Sequence, residues 1–434
     1  PNIGGATQLN AGTLVATGSR YQREVMKETK DSPELLAKDI FRAGENKNDP
    51  VLVKMVGEKA GGVVDWLIYD LKIPYGPAAT QYPDHSANRQ LGVTGRSVNW
   101  LKLMSQKLNE NGGKIMTDTR AQEFIRDKAG NVVGVKATMT NGQKIDFSAK
   151  SVVLASGGYG ANRAMLPKKV ASYLFYGLDS ETGDGLAMGK KIGAGTINLD
   201  LVKQYPQGVE TLPHHALAAT ASSTDTMKKS GAIYVNRDGK RIVDELAGLG
   251  TLTKITEAQK DSIMYIVMDK AAWKQYVAKS LEDKLVAAPS DLDKWAKIVN
   301  NGYPGMATSA KLADAAKTMG INAKGLQATI DRWNGFVKAG ADKDFGRKVL
   351  MPFGEGPYYI VEQKPRFQTT LGGLKANADM QILNKKGQPI GNLFGAGCVV
   401  GGANGSDSLT AMMNSWAIIS GVVAGDSAVK NLKK

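Results

Sequence analysis

Ser151-Val152-Val153-Leu154-Ala155-Ser156-Gly157-Gly158 is the stretch on which the reading of this sequence turns. Its apolar run is too short for a helix and reads as a buried strand that runs into a glycine turn. Glycine lets backbone come close to a ligand, and a strand that feeds such a turn aims its N–H groups at an anion. Leu393-Phe394-Gly395-Ala396-Gly397 repeats the device near the C-terminus. Either strand end alone is weak, since any α/β protein has one. Upstream of the first lies a meander of alternating residues. Lys114-Ile115-Met116 leads to Ala121–Arg126, Val132–Met139 and Gln143–Phe147, with turn residues at Asp127–Asn131 and Thr140–Gln143.

Farther out, residues 33–44, 50–71 and 97–112 carry apolar positions at helical spacing, the last ended by Asn111-Gly112-Gly113. Gly183-Asp184-Gly185-Leu186 opens a helix through Ile192, and another runs from about Ala411 to Lys430. Residues 1–20 read as a glycine-rich turn and loop. Between 206 and 360 the texture changes. A strand at Ala232–Val235 turns at Asn236-Arg237-Asp238-Gly239, and charged helices follow around 254–260, 270–284, 291–299, 308–318 and 323–338. The chain returns through Tyr358–Gln363 to strands at Met380–Leu383 and Leu393–Ala396.

Composition narrows the function. The chain has 434 residues and a formal net charge of +15, with 50 glycines that are clustered rather than periodic. The charge favours anionic ligands or an acidic partner. Lys and Arg are scattered without interleaved aromatics, so nucleic acid is not expected. One cysteine, Cys398, forbids an internal disulfide or a cysteine-zinc cluster. His85, His214 and His215 make no metal site and read as surface-loop residues. The apolar run Trp416–Ala424 is too short to span a bilayer, and no export signal is visible.

Two glycine-ended strands, with a meander ahead of the first, suggest a two-dinucleotide-fold flavoprotein. Five segments make the resemblance specific: Pro1-Asn2-Ile3-Gly4-Gly5-Ala6-Thr7 with Ala11-Gly12, Val152–Gly158, Gly183-Asp184-Gly185, Gly231–Arg241, and Leu371-Gly372-Gly373 with Leu393–Gly397. In order and spacing they resemble the fumarate reductase and succinate dehydrogenase flavoproteins over essentially the whole chain. The resemblance implies an α/β fold, with a glutathione-reductase-type FAD domain at 1–205 and 361–434 and an inserted α+β capping domain at 206–360. It implies FAD held by Gly4, Gly5, Ala6, Thr7, Gly12, Ala121, Ala155, Ser156, Gly157, Asp184, Gly397, Cys398 and Leu409. The family's first strand–turn–helix, with GxGxxG and its ribose-binding acid, is not in this sequence. A segment carrying it is therefore expected ahead of Pro1.

The family's catalytic residues do not carry over. Its proton-donating arginine falls at Leu249 and its substrate-clamping arginine at Ser408. Two histidines fall at Thr369 and Tyr205, and the acidic partner of the latter at Asp225. A guanidinium grips a carboxylate with two parallel hydrogen bonds, which Leu and Ser do not offer. Fumarate is therefore not the expected substrate; one with fewer carboxylates, or a bulkier apolar one, is. Tyr205, whose phenol can give a proton, is the first replacement candidate. Arg366, just before the Thr369–Gly373 turn, is either a cleft cation or an ordinary surface arginine. Asp225, Ser408 and Asn404 follow, and Cys398 reads as a small buried residue near the flavin.

By resemblance, reduced flavin passes hydride to an electron-poor C=C while a side chain supplies the proton. The same chemistry reversed, as in ketosteroid dehydrogenases, is one alternative. A flavin-bearing electron carrier without turnover of its own is another. A small-molecule substrate, an electron-donating cytochrome or FMN domain outside this chain, and a periplasmic or exported location complete the expectation.

Overall fold

The computed structural model describes residues 3–78, 81–300 and 302–433. Pro1 and Asn2 lie outside the described residues. The chain divides into two units. One comprises the residues up to Val170, Gly177–Lys203 and Thr369–Lys434; the other comprises Ala171–Tyr176 and Gln204–Gln368.

In the first unit the chain opens with a short 3-10 turn, Gly5–Leu9, and a three-stranded sheet of Thr13–Val15, Gln90–Val93 and Tyr75–Pro77. Its helices start where the sequence caps them. Ser32 Oγ accepts from Leu35 N at 3.1 Å ahead of the helix Pro33–Ala43, and Asp49 Oδ1 accepts from Val51 N at 2.9 Å ahead of Pro50–Asp65. Both begin with proline, whose missing N–H costs nothing in the first turn. The helix Arg96–Glu110 leads to an antiparallel meander, Thr119–Arg126, Val132–Met139 and Lys144–Ser148. Lys114-Ile115-Met116 is not a strand, contrary to expectation. Its Ile115 and Met116 are exposed, so the apolar pattern there has no core to face.

The strand Val152–Leu154 pairs in parallel with Leu393–Gly395, so the two glycine-ended strands of the sequence lie side by side and end together. The helix Met412–Asn431 packs on this sheet and buries Trp416, Ile419 and Ala424. His85 is buried rather than on a surface loop. Its Nε2 lies 2.9 Å from Thr410 O, and Nδ1 lies 3.3 Å from Arg89, which is ion-paired to Asp31 and Asp39 at 2.6 Å each.

The second unit is built on the strand Met264–Met268, which the sequence reading passed over. All five of its side chains are buried. Met264, Ile266 and Met268 face one core with Tyr234 and Trp295; Tyr265 and Val267 face the other with Trp333 and Ile330. Each such side chain is worth ~1.5–3 kcal/mol over leaving it in water. Period-two alternation is invisible in a strand apolar on both faces. Met264–Met268 pairs antiparallel with Ile233–Val235 and with the long strand Tyr358–Thr370. Pro365 interrupts neither ladder. It falls between Gln363, paired to Met264, and Arg366, paired in parallel to Leu174.

The strand Val202–Leu212, which runs through Pro206 and Gly208, was also passed over. It forms a hairpin with His215–Ala218 that turns at an exposed His214 with φ 65°. The helix Thr220–Lys229 follows. Residues 291–299 are not one helix but a short turn Ser290–Asp293, a 3-10 turn Lys294–Lys297 and the start of a two-residue strand, Val299–Asn300.

Candidate functional site

The first unit contains a cavity of about 1380 Å³ at the ends of the paired strands. Ala155, Ser156 and Gly157 line it after the strand Val152–Leu154; Ala396, Gly397 and Cys398 line it after Pro389–Gly395; Gly4, Gly5, Ala6 and Thr7 close a third side. Gly157 has φ +77° and Gly397 φ +68°, left-handed conformations that glycine adopts without strain. The Gly397 turn is fixed from behind, with Trp416 Nε1 donating to Gly397 O at 3.0 Å and Gly397 N to Ser420 Oγ at 2.9 Å. Ala417, Ile418 and Gly421 of the C-terminal helix, with Gly62 of Pro50–Asp65, keep the remaining wall low.

Nine of the thirteen residues expected to hold FAD thus meet on one cavity. The other four lie outside its lining. Gly12 packs against Val93, where a Cβ would come within 2.3 Å of its side chain. Ala121 sits on the exposed face of the meander. Asp184 is held by Arg120 through Nε at 2.6 Å and Nη2 at 2.8 Å, and that hydrogen bonding keeps its carboxyl below the usual range. Leu409 is buried in packing.

Among the described residues, two buried polar atoms of the lining have no hydrogen-bond partner, Trp100 Nε1 and Glu181 Oε2. Burial alone pushes the Glu181 carboxyl up to about 7. Burial, followed by the neighbouring Glu181 charge, pushes the Cys398 thiol up to about 11, so it stays neutral. Its nearest polar contact is Thr369 Oγ1, 3.6 Å from Sγ. A cavity of this size at two glycine-bearing strand ends, with unpaired polar atoms in its lining, is suited to a dinucleotide.

The expected replacements for the missing arginines divide between the units. In the second unit, Arg366 and Tyr205 are in contact. The Arg366 guanidinium lies 4.2 Å from the centre of the Tyr205 ring and 4.9 Å from that of Tyr176. Arg366 is 3% exposed, which rules out the surface reading. Nε donates to Gln207 O at 3.1 Å and Nη2 to Thr220 Oγ1 at 3.1 Å, while Nη1 has no partner. Among the described residues no carboxylate pairs with it. Burial, only weakly opposed by the two tyrosines, pulls it down to about 10. Asp225 pairs instead with Lys229 at 2.9 Å, one turn along its own helix.

In the first unit, Ser408 is buried and its Oγ donates to Leu409 O at 3.2 Å. Asn404 is buried with Oδ1 unpaired. Sequence reasoning missed Lys203. Its ammonium binds Asp407 and donates to Ser408 O at 2.9 Å, which puts a cation beside the serine that stands in the arginine's position. Only its place two residues before Tyr205 could have flagged it.

Residues 1–412 match the FAD binding domain family. The chain is 31% identical to urocanate reductase of Eggerthella lenta over 435 residues, covering 98% of this chain and 69% of that protein. It is 29% identical to a fumarate reductase (cytochrome) of Shewanella frigidimarina, covering all of this chain and 72% of the relative. The open conformation of a flavocytochrome c3 fumarate reductase superposes with a TM-score of 0.80 at 25% identity, covering 100% of this chain and 73% of that one.

Gly157→Val tests the cavity assignment. No atom lies within 4 Å of the position its Cβ would take, so the side chain meets ligand space rather than protein. A β-branched residue at φ +77° is also strained. FAD affinity, read by flavin fluorescence on titration of the apoprotein, is expected to fall about tenfold or more with the fold retained, a loss of ~1.4 kcal/mol or greater. The wall geometry, the family match over most of the chain and the similarity to these reductases agree: the chain belongs to the FAD binding domain family, as a flavin-dependent oxidoreductase of the fumarate reductase and succinate dehydrogenase flavoprotein type.

Proposed function

We propose that this protein reduces the activated C=C of an enoate carrying a single carboxylate, and that fumarate is not its substrate. One observation carries the reading. Arg366 is a buried guanidinium stacked on Tyr205 and Tyr176, with no carboxylate paired to it and Nη1 without a partner among the described residues. A buried cation without an anion is costly, and a protein keeps one where a ligand supplies the charge.

In this assignment the free Nη1–H of Arg366 binds the substrate carboxylate. FAD, when bound, supplies the hydride. The Tyr205 hydroxyl gives the proton to the α-carbon, and the guanidinium at 4.2 Å from its ring stabilises the phenolate left behind. Solvent restores that proton. Lys203, already bound to Asp407, stays a positioning group for the Ser408 segment. The +15 charge draws in anionic substrates and favours an acidic electron-donating protein or domain outside this chain. No helix among the described residues is long and apolar enough to cross a membrane. The proposed setting is the periplasm or another exported compartment.

The test is anaerobic reduction of the holoprotein with dithionite, then addition of acrylate, cinnamate, urocanate and fumarate in turn. Reoxidation of the flavin by a monocarboxylic enoate, and at least about 100-fold faster than by fumarate, is the expected result, equal to ~2.7 kcal/mol of discrimination. Fumarate as the fastest oxidant would overturn the single-carboxylate assignment. A flavin that no enoate reoxidises, but that a saturated ketone bleaches, would reverse the direction of the reaction.

A further inference from the structure

Glu181 has no part in the assignment above. It lies in the loop before the helix Asp184–Lys191, lines the FAD cavity and is 4% exposed. Its Oε2 has no hydrogen-bond partner, and no Lys, Arg or His pairs with it among the described residues. Gly158 makes room for the carboxyl, since a Cβ there would come within 3.3 Å of Oε2. The titratable groups around it are few. Cys398 approaches from the turn after the strand Pro389–Gly395, and the Tyr159 phenol is occupied with Leu199 O at 2.8 Å. On its own loop Asp184 is taken by Arg120. Glu58, Lys59, Asp379, Asp426 and Lys430 also line the cavity. The carboxyl is thus buried, without a charged partner among the described residues, and part of the lining of the cavity assigned to FAD.

We propose that Glu181 couples reduction of FAD to proton uptake. Its carboxylate gains one proton from solvent, forming an O–H bond, when the bound cofactor accepts two electrons from a two-electron donor, and it loses that proton on reoxidation. Negative charge added to the cofactor in a low-dielectric cavity favours the neutral acid, because like charges held close together cannot both ionise cheaply. Burial already poises the group near neutrality, so the coupling falls in the physiological range. Well below pH 7 the acid is protonated in both redox states and contributes nothing. Above it the oxidised form is ionised, and reduction must bring the proton in. The inference rests on FAD binding and not on the enoate assignment.

The experiment is a spectroelectrochemical titration of wild-type and Glu181→Gln holoproteins with dithionite between pH 5.5 and 9, with no enoate present. At pH 7–8.5 the wild-type midpoint potential should fall more steeply with pH, by up to one extra proton per two electrons, and the two slopes should converge below about pH 6. Equal slopes at every pH overturn the proposal. If Glu181→Gln does not retain FAD, the wild-type protein decides the matter alone. Its reduction-induced infrared difference spectrum must gain a protonated-carboxyl band that shifts on 13C-glutamate labelling, and the lack of such a band overturns the proposal.

Discussion

Arg366→Met is expected to lower kcat/KM for the preferred enoate by about 10²–10³-fold, the usual loss when one preorganised donor to a reacting charge is removed. The thermal midpoint should hold or rise. The two outcomes belong together. Arg366 is 3% exposed and faces no acid, and burial drags its acidity toward that of a lysine, to about 10. The fold therefore carries a desolvated charge that no carboxylate among the described residues offsets, and that is met by two hydrogen bonds and two tyrosine rings. Methionine keeps the flat packing against Tyr205 and Tyr176 and removes the charge. Replacing an uncompensated buried ion with an apolar side chain is neutral or stabilising. The lost Nε and Nη2 bonds, to Gln207 O and Thr220 Oγ1, and the lost cation–π contacts with the two rings work the other way. Tyr205→Phe keeps the ring under the guanidinium and removes the hydroxyl. It should cut kcat by about 10²-fold or more with little change in KM, as expected for a lost proton donor. An Arg366→Met protein that melts early and works normally would make the arginine a structural residue and end the assignment.

That pair also shows where sequence reading stops. Glycine-ended strands are local signals, and the turns at Gly157 and Gly397, which line one cavity, were legible because a left-handed backbone favours glycine. The helices at 33–44 and 50–71 were legible from the local spacing of their apolar residues, and Ser32 and Asp49 cap them within three residues of themselves. Arg366 was ambiguous because its environment is not local. Tyr176 lies 190 residues upstream by number and is brought over it by the parallel pairing of Leu174–Phe175 with Arg366–Phe367. Lys203 meets Asp407, and Glu181 meets Cys398, only through the fold. Asp184 and Leu409 illustrate the converse. Their motifs are recognisable, but the structure occupies them with Arg120 and with core packing. A side chain's identity states what it can bind; only the tertiary structure states what it has already bound.

Glu245→Ala in the second unit should produce the opposite of Arg366→Met. Here the acid is present, and it serves two arginines. Arg241 Nε donates to Glu245 Oε1 at 2.9 Å and Nη2 to Oε2 at 2.8 Å. Arg347 Nη1 donates to the same Oε2 at 3.3 Å. The Glu245 and Arg347 side chains are fully buried, and both guanidiniums lie over the Trp333 ring. Burial works against the charge of Arg241, but the bonds to Glu245 and Asp342 more than offset it and hold the group above its ordinary value. Arg347 fares worse, and burial leaves it below. It is kept in place by carbonyls, with Nη1 donating to Ala232 O at 2.7 Å and Nη2 to Ser230 O at 3.0 Å. Removing Glu245 leaves Arg347 with no carboxylate partner and Arg241 with Asp342 alone, at 3.1 Å from Nη2. Breaking such a network by taking out one partner costs about 3–5 kcal/mol, a large part of the ~5–15 kcal/mol that holds a domain folded. The urea midpoint should drop by more than about 1 M if the slope is ~1–3 kcal/mol/M. Adding Arg347→Met to Glu245→Ala should then restore part of the loss, since the second change removes the charge that the first one stranded. Full stability in the single variant, or no recovery in the double, would mean that the carbonyl cage around Arg347 holds this unit together without the acid. In wild type the contrast is internal to one unit: two arginines bracket a glutamate in the core, while among the described residues no carboxylate pairs with Arg366.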